Sequence, residues 1–269
     1  MQELDTEEIK KIELDILLDV ADFCEEHNLK YFLAYGTLIG AVRHKGFIPW
    51  DDDIDIYMPR KDYQEFLQSY NKGAKSRNYS AVCPYEKKAK HSFAKIIDTR
   101  TVKVEPGFSY DDGYLGVDID IFPLDGQPEK EEDFKAWFKH LIEIYWLFSF
   151  AAGSSKTGSY KHRIAVFLTK IITNKKKLLD KAGRLHSKYP YETSNYVGAV
   201  EGYFNKIGDR FKKQCFEKSI VLKFEGHDFK APIGYDDVLK NQYGDYMKLP
   251  PLEERVTHHI NKMYWKEDS

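Results

Sequence analysis

Asp51-Asp52-Asp53-Ile54-Asp55-Ile56 is the stretch on which the fold turns. In an extended chain, residues two apart share a face. Asp53 and Asp55 therefore project together, while Ile54 and Ile56 go to the opposite, packed face. Two carboxylates this close repel each other, and burying either one costs several kcal/mol unless a positive charge sits between them. Hard oxygen ligands suit Mg²⁺, which usually binds through one or two carboxylates together with substrate phosphates. A second element, Val117-Asp118-Ile119-Asp120-Ile121, repeats the alternation of acid and apolar residue. One such strand is an ordinary half-exposed strand with solvated acids about as often as a site; the pair shifts the balance towards a metal site. A calcium loop does not fit, because Ile56 stands where that loop needs glycine and Asp62 replaces its bidentate glutamate.

Upstream, Tyr35-Gly36-Thr37 closes a strand-like run and opens a short helical stretch. Such a turn presents backbone N–H groups and the positive end of a helix, both suited to a phosphate. Further out, apolar spacing predicts a helix over residues 5–27, opened by Asp5 and Glu8 as a capping box. A strand is expected over 53–58, and a helix over 61–70 that starts at Pro59, an ordinary place for proline. More strands are predicted at 93–97, 101–104 and 116–122, and helices at 131–151, 160–185 and 189–205. From about residue 214 the chain is cut into short segments by Gly and Pro. The expected class is α+β: a small mixed sheet with flanking helices, then a mainly helical C-terminal part. The boundary is placed between residues 128 and 129, giving a catalytic domain (1–128) and an accessory, acceptor-binding region (129–269) packed on it.

Lys plus Arg number 41 against 43 for Asp plus Glu, so the charge balance gives no reason to expect a nucleic-acid partner. The acidic, polar start is no signal peptide, and no apolar run approaches the roughly 20 residues that span a bilayer. Three widely spaced cysteines read as reduced, in a cytoplasmic protein. The basic, amphipathic stretch from Lys161 to Lys177 offers a peripheral contact with the inner membrane surface. A helix packed on the catalytic part, with solvated lysines, is the favoured alternative.

The segment from Tyr35 through Gly36-Thr37-Leu38-Ile39-Gly40, Arg43-His44-Lys45-Gly46 and Pro49-Trp50 to Asp51-Asp52-Asp53-Ile54-Asp55-Ile56 closely resembles the signature of the LicD family. Ile119-Asp120-Ile121-Phe122-Pro123-Leu124-Asp125 resembles its second block, and Tyr243-Gly244-Asp245-Tyr246-Met247-Lys248-Leu249-Pro250-Pro251 with His258-His259 its C-terminal block. The resemblance implies a nucleotidyltransferase-type fold. It also implies transfer of phosphocholine from CDP-choline to a sugar of a cell-surface glycan precursor, of teichoic acid or lipopolysaccharide type, with release of CMP. Related enzymes of the group move ribitol phosphate, so another CDP-linked alcohol phosphate is an alternative donor group, as is nucleotidyl transfer to a small molecule. By position, Asp53, Asp55 and Asp120 match the catalytic, metal-binding carboxylates for one or two Mg²⁺ ions, with Mn²⁺ as a substitute, and Gly36 and Thr37 match the phosphate-facing turn. Asp118 occupies a place that is usually apolar in the family. Arg43, Lys45, Lys95 and Arg100 are candidate phosphate contacts; His258 and His259 are candidates for acceptor or phosphate.

Overall fold

The computed structural model describes residues 1–86, 89–104, 116–153, 159–201, 209–255 and 262–267. The first helix, α1 (Thr6–Glu26), opens on the expected capping box: Asp5 accepts from the Glu8 amide, and Glu8 accepts from the Asp5 amide. Its apolar residues Ile9, Ile12, Ile16, Val20 and Phe23 are buried, as their spacing predicts. Asn28, with φ of 53°, takes the left-handed turn that ends it. Then follow β1 (Phe32–Leu33), α2 (Tyr35–Ile39) and a π-helical turn over Gly40–His44. Next come β2 (Asp55–Pro59), α3 (Arg60–Gly73), β3 (Tyr79–Val82), β4 (Ala94–Asp98), β5 (Thr101–Val104) and β6 (Asp118–Gln127).

β2 and β6 are parallel neighbours at the heart of a mixed sheet in the order β1-β2-β6-β4-β3, and the other pairs in that order are antiparallel. β3 has no counterpart in the sequence reading, because its Tyr-Ser-Ala-Val is too short and mixed to stand out. The second half holds α4 (Glu131–Ala152), α5 (Tyr160–Ile172) and α6 (Lys175–His186), then β7 (Tyr196–Gly198), β8 (Phe211–Lys212), β9 (Ser219–Phe224), β10 (His227–Pro232), α7 (Tyr235–Tyr243) and β11 (Lys262–Trp265). The architecture is α+β, as expected.

Two expectations for this half are corrected. The single helix over 160–185 is two helices, because Thr173 is extended and Asn174 caps α6 by accepting from the Lys177 amide at 3.0 Å. Over the described residues 189–201, the helix expected at 189–205 is not formed. Ser194 and Thr193 turn back on the Pro190 carbonyl, and Tyr196–Gly198 instead pairs with Asp125–Gln127, where β6 runs on beyond its predicted end. A long-range pairing here outweighs local helix preference.

The larger core joins α1, β1, β2, α3, β4 and β6 to Phe211, Phe216, Phe224, Phe229 and Leu239 from much later in the chain. A second core lies between α4 and α6.

Candidate active site

The parallel register sets Asp55 beside Asp120, and the Asp120 amide donates to the Ile54 carbonyl at 2.9 Å. Adjacent strands lie about 4.8 Å apart, so the two carboxylates emerge together at one end of the sheet. Thr37 fixes this end from below. Its hydroxyl, buried beside the strand, accepts the Asp55 amide at 2.9 Å. Gly36 explains itself by what it leaves room for. A Cβ there would lie 2.5 Å from Asp51 Oδ2 and 4.0 Å from Asp53 Oδ1, so the missing side chain is the cradle in which the Asp51 carboxylate rests near that of Asp53. The sequence pattern assigns Asp53, Asp55 and Asp120 and gives Asp51 no role.

The electrostatics follow from this crowding. Burial, then the charges of Asp53, Asp120 and Asp51, push the Asp55 carboxyl well above its ordinary range. Burial also raises Asp120, against the pull of Lys95. Lys95 is not a surface charge: its ammonium bridges Asp118 (2.6 Å) and Asp120 (2.5 Å). Burial alone would raise Asp118 too, but Lys103, at 2.6 Å, and Lys95 hold it well below the usual carboxylate range. Asp118 is thus the internal counter-ion of two lysines. Asp51, Asp53 and Asp55 form the acid-rich side, which fits a hard divalent cation with oxygen donors.

Glu13 reaches the same region from α1. Burial pushes its carboxyl well up, against the pull of Lys103, and Asp53, Asp118 and Asp52 add to the rise. Neither Glu13 nor Lys103 was singled out from the sequence. A signal for Glu13 exists, since it interrupts the buried apolar stripe of α1.

The candidate cations divide. Arg43 donates to the Tyr246 carbonyl at 2.6 Å and to His44 Nε2 at 2.9 Å, which brings the C-terminal block against the first block. Its pKa is lowered by burial and by Arg255, which itself lies over the Trp50 ring at 5.4 Å. Two guanidiniums therefore share the rim near the acidic segment, and Arg255 had no motif to announce it. Lys45 is exposed, in a left-handed conformation at the end of the π-helical turn. Arg100 is not gathered with these groups: it forks onto Asp98 at the C-terminal end of β4 and lies over the Trp265 ring. His258 and His259 lie outside the described residues.

Behind the turn, buried Asp209 accepts from the hydroxyls of Tyr35 (2.8 Å) and Tyr57 (2.6 Å) and from Gln242 (2.9 Å). Tyr35 has φ of 42°, a strained position for a tyrosine, held by this bond and by ring contacts with Tyr57 and Phe122.

A second polar constellation occupies the other end of the β2–β6 pair, about 16 Å along the strand from Asp120. Arg60 forks onto Asp125 and donates to Glu201 at 2.9 Å; His186 Nδ1 lies 3.0 Å from Asp125, and the Tyr145 hydroxyl donates to Glu201 at 3.0 Å. Asp125, His186 and Glu201 are spaced as a metal triad could be. Arg60 already compensates both carboxylates and holds Asp125 well below its usual range despite burial. These groups line a cavity of about 690 Å³ walled by Tyr63, Tyr85 and Tyr191.

The paired parallel strands with their convergent carboxylates and the Gly-Thr turn fall within residues 28–151, which match the family profile described as LicD/FKTN/FKRP, nucleotidyltransferase domain. The chain is 33% identical over 270 residues to the lipopolysaccharide cholinephosphotransferase LicD of Haemophilus influenzae, covering 98% of this chain and 99% of that protein. A shorter likeness, 43% over 53 residues, or 20% of this chain and 17% of its relative, links it to an uncharacterized protein of Rickettsia typhi. The chain belongs to the LicD family.

Proposed function

We propose that this protein is a phosphotransferase that moves phosphocholine from CDP-choline to a sugar hydroxyl of a lipopolysaccharide-type or teichoic-acid-type glycan, releasing CMP. The phosphocholine group and the lipopolysaccharide-type acceptor rest on the likeness to the Haemophilus enzyme, which spans nearly both chains, and the CDP carrier and teichoic-acid alternative rest on the motif resemblance to the LicD family. The observation that carries the chemistry is the convergence of Asp51, Asp53, Asp55 and Asp120 where burial and mutual repulsion call for a divalent cation.

Asp53, Asp55 and Asp120 would hold Mg²⁺, with Asp51 turned towards them by the space at Gly36. When bound, the metal supplies neutralising charge for the leaving CMP and alignment for in-line displacement. Thr37 keeps the Asp55 strand in register, and the rim guanidiniums of Arg43 and Arg255, with Lys45, supply donors for the diphosphate. Asp120 accepts the proton of the acceptor hydroxyl, and Lys95 positions it. The 129–269 region would bear on the acceptor.

Incubation with CDP-choline, Mg²⁺ and a glycan acceptor tests the reading. CMP release is expected, and Asp53→Ala or Asp55→Ala should abolish it while the fold is retained by circular dichroism. Near-normal turnover in either variant sinks the site. A panel of CDP-alcohols separates choline from other donor groups, and pyrophosphate release from CTP would favour nucleotidyl transfer instead.

A further inference from the structure

Helix α5 touches the rest of the protein chiefly through Val166, its one buried side chain. Its remaining apolar residues face away. Tyr160 is 77% exposed, Phe167 59%, Ile171 66% and Ile172 80%, with Ile164 and Leu168 also exposed. At 3.6 residues per turn, Tyr160, Ile164, Phe167 and Ile171 fall within about 60° of arc. Leu168 and Ile172 widen this to about 140°, roughly opposite Val166. This is an inverted amphipathic helix: the stripe that would normally seek the core is turned outward. Exposed Trp146 of α4 lies alongside, packed on Phe150, whose ring leans on His162 of α5.

The charge around the stripe is one-sided. Residues 159–179 contain six lysines and arginines and no acid, in a chain of net charge −2. Arg163 stands at one margin of the stripe and Lys161 near the other, while exposed Lys176 and Lys177 open α6 just beyond. Among the described residues no helix is long and apolar enough to cross a membrane. A second copy of the chain would bring like-charged margins together.

We infer that α5 and the start of α6 form a docking surface for an anionic phospholipid bilayer, with Phe167 and Ile171 entering the headgroup boundary and Lys161, Lys176 and Lys177 meeting the lipid phosphates. The inference stands apart from the reaction at the carboxylates. It also revises the sequence reading that favoured a helix packed on the catalytic part.

Co-sedimentation of the full chain with phosphatidylcholine vesicles and with mixed phosphatidylcholine–phosphatidylglycerol vesicles tests it. Binding is expected only to the mixed vesicles, weakening with added salt. Each cation at such a surface is worth about fivefold in partitioning, so Lys176→Gln/Lys177→Gln lowers it roughly 25-fold. Phe167→Ser/Ile171→Ser removes the inserted apolar groups and abolishes pelleting, with an unchanged circular dichroism spectrum. Failure to pellet with mixed vesicles, or pelleting indifferent to both double substitutions, overturns the inference. So does a lipid-free dimer in sedimentation equilibrium that Phe167→Ser/Ile171→Ser disperses, since the face then belongs to a second copy.

Discussion

Gly36→Ala separates the site from the scaffold that carries it. Gly36 lies within α2, and its φ is not in the left-handed region, so the backbone accepts alanine. Helix propensity alone makes the substitution stabilising by about 0.5–1 kcal/mol. The new methyl, however, would sit 2.5 Å from Asp51 Oδ2. Regaining ordinary contact moves that carboxylate by about 1 Å beside Asp53, a proposed ligand that Mg²⁺ would hold at about 2.0–2.1 Å with a tolerance of about 0.2 Å. Misplacement on that scale costs about 10²-fold in rate. The expected result is a thermal midpoint equal to or above wild type, with CMP release from CDP-choline down about 100-fold and a weaker Mg²⁺ dependence. Turnover within about twofold of wild type, with an unchanged Mg²⁺ titration, refutes the cradle argument.

Thr37→Val leaves the buried Asp55 amide without its acceptor and should lower stability by about 1–3 kcal/mol in urea titration; Thr37→Ser, which keeps the oxygen, should recover most of it. Arg60→Met strips the guanidinium from two buried carboxylates, so a loss of about 3–5 kcal/mol is expected, and a loss under about 1 kcal/mol would mean that the cluster is well solvated. Asp118 and Asp125 have folded pKa values held below the usual range, so their contribution is present above the ordinary carboxylate pKa of about 4 and lost as pH falls through the folded values. The denaturant midpoint should therefore fall steeply below about pH 4, whereas protonation of the raised Asp55, Asp120 and Glu13 adds stability as pH falls through their folded values, and Arg60→Met should flatten the acid limb.

Much of the site was legible because it is local. The alternation in Asp53 to Ile56 and Ile119 to Ile121 put the four isoleucines in the core, although Asp55 and Asp118 are buried as well, and the Asp5–Glu8 box and Pro59 marked helix starts. What escaped the sequence is long-range. Arg60 meets Glu201 across 141 residues and Arg43 meets Tyr246 across 203, and no periodicity encodes such meetings. Lys95 reads from the sequence as a phosphate contact, but β4 lies beside β6, where Lys95 falls opposite Asp120. The outward stripe of α5 had the same amphipathic pattern as a buried helix; only the position of Val166 against the body tells which way it faces.

The carboxylate of Asp209 ties Tyr35 and Tyr57 to a point 152 residues downstream of the latter, beyond the end of the matched nucleotidyltransferase segment. On a translating ribosome adding about 5–20 residues per second, the two phenols wait roughly 8–30 s for that acceptor to emerge. Until then the strained Tyr35 turn lacks its anchor and Gly36 cannot cradle Asp51. The acidic cluster, early in the chain, therefore gains this tether only after the distal half has folded back.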